Sequence, residues 1–471
     1  MAGSGGYLRN LVAQTGARLV FLFTTLGVFI AIARSMGPEA FGQYSYAVTF
    51  ATLFATLADF GTGAILGREL TERRGQGDRE FWGAFLWLRA ASAFGLVVPA
   101  LLVGYFLKPE LALPLALAAL AIPVLAFRFF EPVYQVYDRP WDALPPALVG
   151  SILYGGVSAA ILLTQTSVVK LLLGYILANA AYTVVAFGLS RRSIVPRLVG
   201  RQALVRGILT MALPLGVATV FTNLNTRIGT FVLGELRTDF DVGIYNAALR
   251  FLDLSAMVAV LMVTPLIPIF AQRAASDRPG LARDYRALIE HLGVVIVPSA
   301  VLLPYVSPGI VALAFGKEFA PAVPVLNVLG ISAGFIFFSL ASSAANVALG
   351  VVRHGYWVGA LAVAVNLSIA VPLTIRQGAI GAAWGTLAAE VAMLTVSQYF
   401  TGTALGKVIR KKRWAGIAIL SAALYAWLET APLPLSLRVG CGVLAYAAAA
   451  FTFGLVEPGL LLRRDTRPTD G

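Results

Sequence analysis

Long apolar segments separated by short polar connections run the length of the chain. A helix rises about 1.5 Å per residue, so about 20 apolar residues cross the hydrocarbon of a bilayer. Fourteen stretches meet or approach that length, at about 11–33, 41–66, 82–107, 111–136, 145–163, 169–189, 208–233, 242–270, 288–315, 322–349, 356–375, 379–405, 414–427 and 437–456. The thirteenth is short for a bilayer. Interior prolines such as Pro123, Pro214, Pro265 and Pro298 predict kinked crossings. The first stretch is too long for a signal-peptide core and is read as a retained helix.

The second stretch carries the clearest polar pattern. Ser45, Thr49, Thr52, Thr56 and Asp59 follow at steps of three and four, so they form one stripe. Such a stripe either lines a wet cavity or lets hydroxyls bond their own backbone carbonyls. A carboxylate in hydrocarbon is costly and normally faces a bundle interior or a cavity. The same segment has an echo. Phe41-Gly42-Gln43-Tyr44-Ser45-Tyr46-Ala47 aligns with Val242-Gly243-Ile244-Tyr245-Asn246-Ala247-Ala248, and in each case an arginine, Arg18 or Arg227, lies in the preceding apolar segment. Internal similarity of this kind is the trace of a transporter built from two related bundles.

Composition sharpens the class. Apolar residues make up 58% and charged residues 13% of 471, which excludes an ordinary soluble domain. The net charge of +13 suggests nucleic acid only superficially, because the basic residues sit in short runs between apolar segments. The single Cys441 allows no intramolecular disulfide, and His291 and His354 have no ligand-spaced partners, so neither a metal nor another cofactor is expected. No P-loop occurs, and no connection is long enough to fold as a catalytic domain.

Basic residues alternate between connections. One side holds Arg68, Arg73, Arg74 and Arg79; Arg139; Arg191, Arg192, Arg197, Arg201 and Arg206; Arg273, Arg278, Arg283 and Arg286; Arg353; Lys407, Arg410, Lys411, Lys412 and Arg413; and Arg463, Arg464 and Arg467. The other holds Lys108, Lys170, Arg237, Lys317 and Arg376. By the positive-inside rule both termini are expected in the cytoplasm.

Polar groups inside the spans are the candidate site. Arg34 is read as snorkelling at the outer rim. Arg18 and Arg227 lie too deep for easy snorkelling and have no suitably spaced carboxylate on their own helices. Arg18 shares a face with Gln14 and Thr25, and Arg227 with Thr219, Asn223 and Thr230. Arg128 with Glu131 and Arg250 with Asp253 are spaced i,i+3, so each arginine either pairs locally or faces a cavity. Guanidinium groups around a cavity suit phosphate or carboxylate. Asp59, Asp253 and Glu390 are the candidates for carrying a coupling proton or sodium ion, with Asp59 favoured. Ser332, Ser339, Ser342, Ser343 and Asn346 line one side of the tenth span, where helix packing is the main expectation.

At SMGPEAFGQYSYA and LADFGTGAILGREL the chain resembles bacterial oligosaccharide flippases of the Wzx type, members of the multidrug/oligosaccharidyl-lipid/polysaccharide superfamily. VGIYNAALRFLDL, FGKEFAPAVPVL and GAIGAAWGTLAAE fit the same pattern. The resemblance implies an all-α integral membrane protein with two pseudo-symmetric six-helix lobes, at 1–200 and 201–406, around a central cavity, and two further helices in 407–471. It implies translocation of a polyprenyl-diphosphate-linked oligosaccharide from the inner to the outer leaflet, with Arg18 and Arg227 placed like cavity arginines of lipid II flippases. A drug/cation antiporter of the same fold is the alternative, with an acidic or apolar cavity expected of it. A membrane glycosyltransferase or polymerase would need a catalytic loop, which is not found.

Overall fold

The computed structural model describes residues 4–164, 166–197, 202–351, 355–406 and 409–455, with backbone alone for 4–15, 355 and 356. Arg201, Arg353, His354, Lys407, Arg463, Arg464 and Arg467, on which part of the charge alternation rests, lie outside the described residues, as does the side chain of Gln14. Hydrocarbon offers backbone groups no partner, so a spanning segment must satisfy its own N–H and C=O groups as helix. The described chain is accordingly helical: α1 Ser4–Asp59, α2 Thr62–Glu72, α3 Asp78–Gly95, α4 Val97–Leu107, α5 Ala112–Ala126, α6 Glu131–Val136, α7 Leu144–Thr164, α8 Val168–Ser190 and α9 Gln202–Leu236. Then come α10 Asp239–Val263, α11 Leu266–Ser276, α12 Arg278–Ala314, α13 Ala322–Ala348, α14 Gly355–Gln377, α15 Ala379–Leu405, α16 Lys411–Thr430 and α17 Leu435–Thr452.

Twelve helical stretches among the described residues are long and apolar enough to cross a membrane. The first, Gly16–Glu72, holds two crossings, because α1 breaks at Gly37 (φ 75°) ahead of Pro38. Only glycine adopts that conformation without strain. Separating those two crossings, and adding the 20-residue α16, gives the expected fourteen. The thirteenth is therefore longer than its apolar stretch, reaching from the Lys411-Lys412-Arg413 run to Thr430.

Breaks in the spans do not follow the prolines. Pro123, Pro214 and Pro298 lie inside continuous helices, and only Pro265 sits at a break, between α10 and α11. Besides the one at Leu96 between α3 and α4, two further breaks carry no proline. One is at Phe60-Gly61, where both residues have positive φ (40° and 75°); the other is the non-helical stretch 127–130 between α5 and α6. Irregular backbone within a span is tolerated where protein buries it or a cavity receives it.

The chain forms two compact units. The first comprises Met1–Ala247, Ala314–Phe319 and Ala370–Ala382; the second comprises Ala248–Leu313, Ala320–Ile369 and Ala383–Gly471. In the first, Phe81, Trp82, Phe85, Phe129, Phe130 and Tyr134 form an aromatic core, with Trp82 stacked on Phe85 at 5.8 Å. The Tyr44 and Tyr154 hydroxyls meet at 2.7 Å inside that unit. In the second, Tyr285 of α12 bonds Ser342 of α13 at 2.8 Å, and Asn346 donates to the Ser397 carbonyl of α15 at 3.1 Å. The small polar face of α13 is thus a packing face, as expected. Large apolar side chains such as Phe106, Leu163, Val184 and Leu444 stand exposed, as a lipid-facing surface requires.

Candidate functional site

The first charged site grows out of the break in the second span. Asp59 ends α1, and its carboxylate accepts the backbone N–H groups of Gly61 (3.2 Å) and Gly63 (3.1 Å). The break leaves those donors without helical partners, so a carboxylate here is a cap. Gly61 and Gly216 of α9 touch backbone to backbone, leaving no room for a Cβ on either. Asp59 also forms an ion pair with Arg89 of α3, a side chain only 1% exposed. The Arg89 guanidinium lies over the Phe129 ring at 4.6 Å and near Phe85 at 5.4 Å. The stripe leading to Asp59 is closed rather than wet. Ser45 and Thr49 are buried, and Thr52 and Thr56 bond the carbonyls of Thr49 and Thr52.

The second charged site adjoins the first through Phe129. Arg128 occupies the break between α5 and α6. Its guanidinium stacks between Phe21 of α1 (3.9 Å) and Tyr182 of α8 (4.8 Å). The expected local pair with Glu131 does not form, because Glu131 is taken by Arg18 at 2.8 Å. The helix break turns Arg128 away from the i+3 geometry that an unbroken helix would have imposed. Arg18 therefore does have a carboxylate partner, one that lies 113 residues away and on another helix. Its side chain is still 47% exposed, and Glu131 is 24% exposed. Two guanidinium groups and one carboxylate leave this cluster with a surplus positive charge.

The other expected residues are placed as follows. Arg227 is half-buried on α9 and engaged with neighbours. Asn223 donates to the Thr219 carbonyl of its own helix at 2.9 Å, and Thr230 reaches Asn246 of α10 at 3.4 Å. Arg250 and Asp253 form the expected local pair at 3.2 Å. Glu390 of α15 is 4% exposed, and among the described residues no hydrogen bond or ion pair reaches it.

A third cluster was not anticipated. In the first unit, the connections after the first, third, seventh, ninth and eleventh spans converge. Lys108 Nζ meets Asp239 Oδ1 at 2.8 Å, with both side chains largely buried, and Gln43 donates to the second Asp239 oxygen at 3.1 Å. Lys108 also lies 5.1 Å from the Tyr46 ring centroid, and Tyr46 donates to Glu235 at 2.9 Å. Arg34 donates to the Ala314 carbonyl at 2.8 Å rather than snorkelling, and Arg237 donates to Thr374 and Ile375 carbonyls at 3.0 and 2.6 Å. Phe41 packs on Phe315 and Phe319. At the centre, the echoed glycines meet. A Cβ on Gly42 would overlap the Asp239 carbonyl and lie 2.9 Å from Gly243 N, and one on Gly243 would overlap the Pro38 carbonyl. The signal was the echo itself, which marked these glycines without saying that they touch.

A family model described as polysaccharide biosynthesis protein matches residues 8–273, more than half of the chain. The chain belongs to this family. The lipopolysaccharide biosynthesis protein WzxC of Escherichia coli (strain K12) is 25% identical over 325 residues, 66% of this chain and 64% of that protein. The chain thus spans less than two thirds of the length of the curated relative it matches. Among solved structures, the lipid II flippase MurJ in an inward closed conformation gives a TM-score of 0.75 at 14% identity, covering 95% of this chain and 98% of that one. An inward-facing multidrug resistance MATE family transporter of the MOP superfamily gives 0.68 at 13% identity, covering 85% and 96%. At such identities the likeness is one of fold. Together with the family match and the twelve apolar helical stretches among the described residues, it makes the chain a multi-pass membrane protein of the polysaccharide biosynthesis family.

Proposed function

We propose that the chain moves a polyprenyl-diphosphate-linked oligosaccharide from the cytoplasmic to the outer leaflet of the inner (plasma) membrane by alternating access, for polysaccharide or O-antigen assembly. The observation that carries this reading is the Arg18–Glu131–Arg128 cluster. It is a half-exposed basic site inside spanning helices with more guanidinium than carboxylate. A diphosphate fits it, since a guanidinium bonds two oxygens at once. Arg227 and Asn223 on α9 complete the proposed anion site, and Arg250, already answered by Asp253, ranks behind them. An antiporter of organic cations would find repulsion at this cluster.

Both termini are proposed to be cytoplasmic, which puts the tied connections around Lys108 and Asp239 on the outer face. For energy coupling Glu390 ranks ahead of Asp59. Asp59 is held by Arg89 and two backbone N–H groups, whereas Glu390 is buried alone and has no such hold on its charge.

Deleting the gene should cause one lipid-linked oligosaccharide to accumulate on the cytoplasmic side, identified by mass spectrometry. An Arg18→Ala/Arg227→Ala chain that reaches the membrane should fail to relieve it, and Arg227→Lys should relieve it partly. Normal surface glycan with the double variant would overturn the site. In a Cys441→Ser background, cysteine at Lys317 should react with an impermeant thiol reagent in intact cells and cysteine at Arg192 should not. The reverse would invert the orientation.

A further inference from the structure

The second unit contains a cavity of about 580 Å³ that the proposed transport path does not use. Its walls are α12, α13, α15 and the start of α16, and they are almost wholly apolar: Ile296, Ala300 and Val301 on one side, Gly334, Phe335 and Phe338 on another. From Ile289 to Val301 it follows α12 for twelve residues, about 18 Å, slightly more than one leaflet of hydrocarbon. Its flanks open at Ile331 and Ile409, which are exposed.

One end of this cavity is strongly basic. Ile289, Ile409 and Trp414 line it there, and Glu290, Arg410 and Arg413 sit directly beside them in the chain. Glu290 is 1% exposed and receives both arginines, Arg410 Nε at 3.1 Å and Arg413 Nη1 at 3.1 Å. Lys411 and Lys412 follow, both exposed. Four consecutive cations therefore gather at this end, two of them paired with the one carboxylate. Three of them occupy the first turn of α16, a helix whose N-terminus has no acidic residue and no side-chain cap. The helix dipole already places positive potential there, so cations at this end destabilise the helix and an anion stabilises it. The Trp414 indole N–H is buried and lacks a hydrogen-bond partner among the described residues.

We infer that this cavity binds an anionic phospholipid of the surrounding bilayer. One acyl chain occupies the apolar cavity, and the phosphate headgroup rests on Lys411, Lys412 and Arg410. The buried Glu290 holds Arg410 and Arg413 in place, so part of the basic edge is preformed, with the exposed Lys411 and Lys412 beside it. The depth of the cavity suits a chain that ends within its own leaflet, and the charge at its mouth favours an anionic over a zwitterionic head.

The test uses the purified full chain in detergent, read by native mass spectrometry. Phosphatidylglycerol, phosphatidylethanolamine and a polyprenyl monophosphate are titrated separately and in competition. Phosphatidylglycerol should be retained preferentially. Lys411→Gln/Lys412→Gln should weaken it about 30-fold, since each lysine near an anionic surface contributes about 1 kcal/mol. Ala300→Phe, which fills the cavity without touching the basic edge, should also lower retention. Phosphatidylglycerol with brominated acyl chains should quench part of the tryptophan emission, and that part should vanish in Trp414→Phe. Equal retention of the two phospholipids, unchanged binding in the double lysine variant, or displacement of phosphatidylglycerol by the polyprenyl phosphate would each overturn the assignment.

Discussion

Asp59 in the first unit and Glu390 in the second are both carboxylates set within apolar spans, yet their surroundings are opposite. Asp59 meets two backbone N–H groups and a buried arginine, whereas Glu390 has no partner among the described residues. A carboxylate held by a cation and two donors acts as a structural clasp. Glu390 has neither and is buried, whereas Asp59 is half-buried, so the two residues serve different ends. Elsewhere the carboxylates of both units are answered. Glu131, Asp239 and Asp59 are each answered from a distant part of the chain in the first. In the second, the buried Glu290 is answered twice. Glu390 is the exception.

The sharpest way to break the contrast is to remove the clasp. Arg89→Met should leave the half-buried Asp59 without its cation, lowering stability by up to about 3–5 kcal/mol. The melting temperature and the membrane yield should fall together. Asp59→Asn/Arg89→Met should recover most of that loss. A single variant as stable as the parent would mean that the pair does not hold the break.

A smaller effect is expected where the echoed segments touch. Gly243→Ala must displace the Pro38 carbonyl, a strain of about 1–3 kcal/mol. Ala247→Gly on the same helix serves as a control for added backbone freedom. Complementation of the deletion strain should be impaired by Gly243→Ala even at growth temperatures where the protein accumulates normally.

The smallest effect on stability is expected at Glu390. Glu390→Gln keeps the shape and removes the uncompensated charge, so the melting temperature should stay constant or rise slightly. Transport in proteoliposomes should lose its response to an imposed pH or sodium gradient. A Glu390→Gln chain with a full gradient response would remove this residue from coupling and return attention to Asp253.

Hydropathy and spacing made the fourteen crossings, the all-helical class and the packing face of α13 legible, because burial in lipid writes itself directly into residue type. Pairing across helices was not legible. Arg18 with Glu131 and Lys108 with Asp239 are 113 and 131 residues apart, and no local pattern brings them together. Arg128 and Glu131 looked like a pair only on the assumption of a continuous helix. The breaks themselves had a partial signal. Asp59-Phe60-Gly61 is turn chemistry, an acceptor followed by a residue tolerant of positive φ, set inside an apolar run. The polar stripe drew attention to the acceptor and away from the turn.

The contact of Gly42 with Gly243 also has a mechanical meaning. Most crossing helices interlock through side chains, and rotating one against the other requires those teeth to disengage. Here two backbones bear on each other with no teeth between them, which makes the crossing a fulcrum. From Gly42 to Asp59 the helix is a lever of about 17 residues, about 26 Å, so a rotation of about 10° at the fulcrum would sweep its far end through about 4–5 Å. The methyl group of the Gly243→Ala chain acts as a wedge in that bearing, and its cost should be read less in the depth of the folded state than in the speed of the stroke.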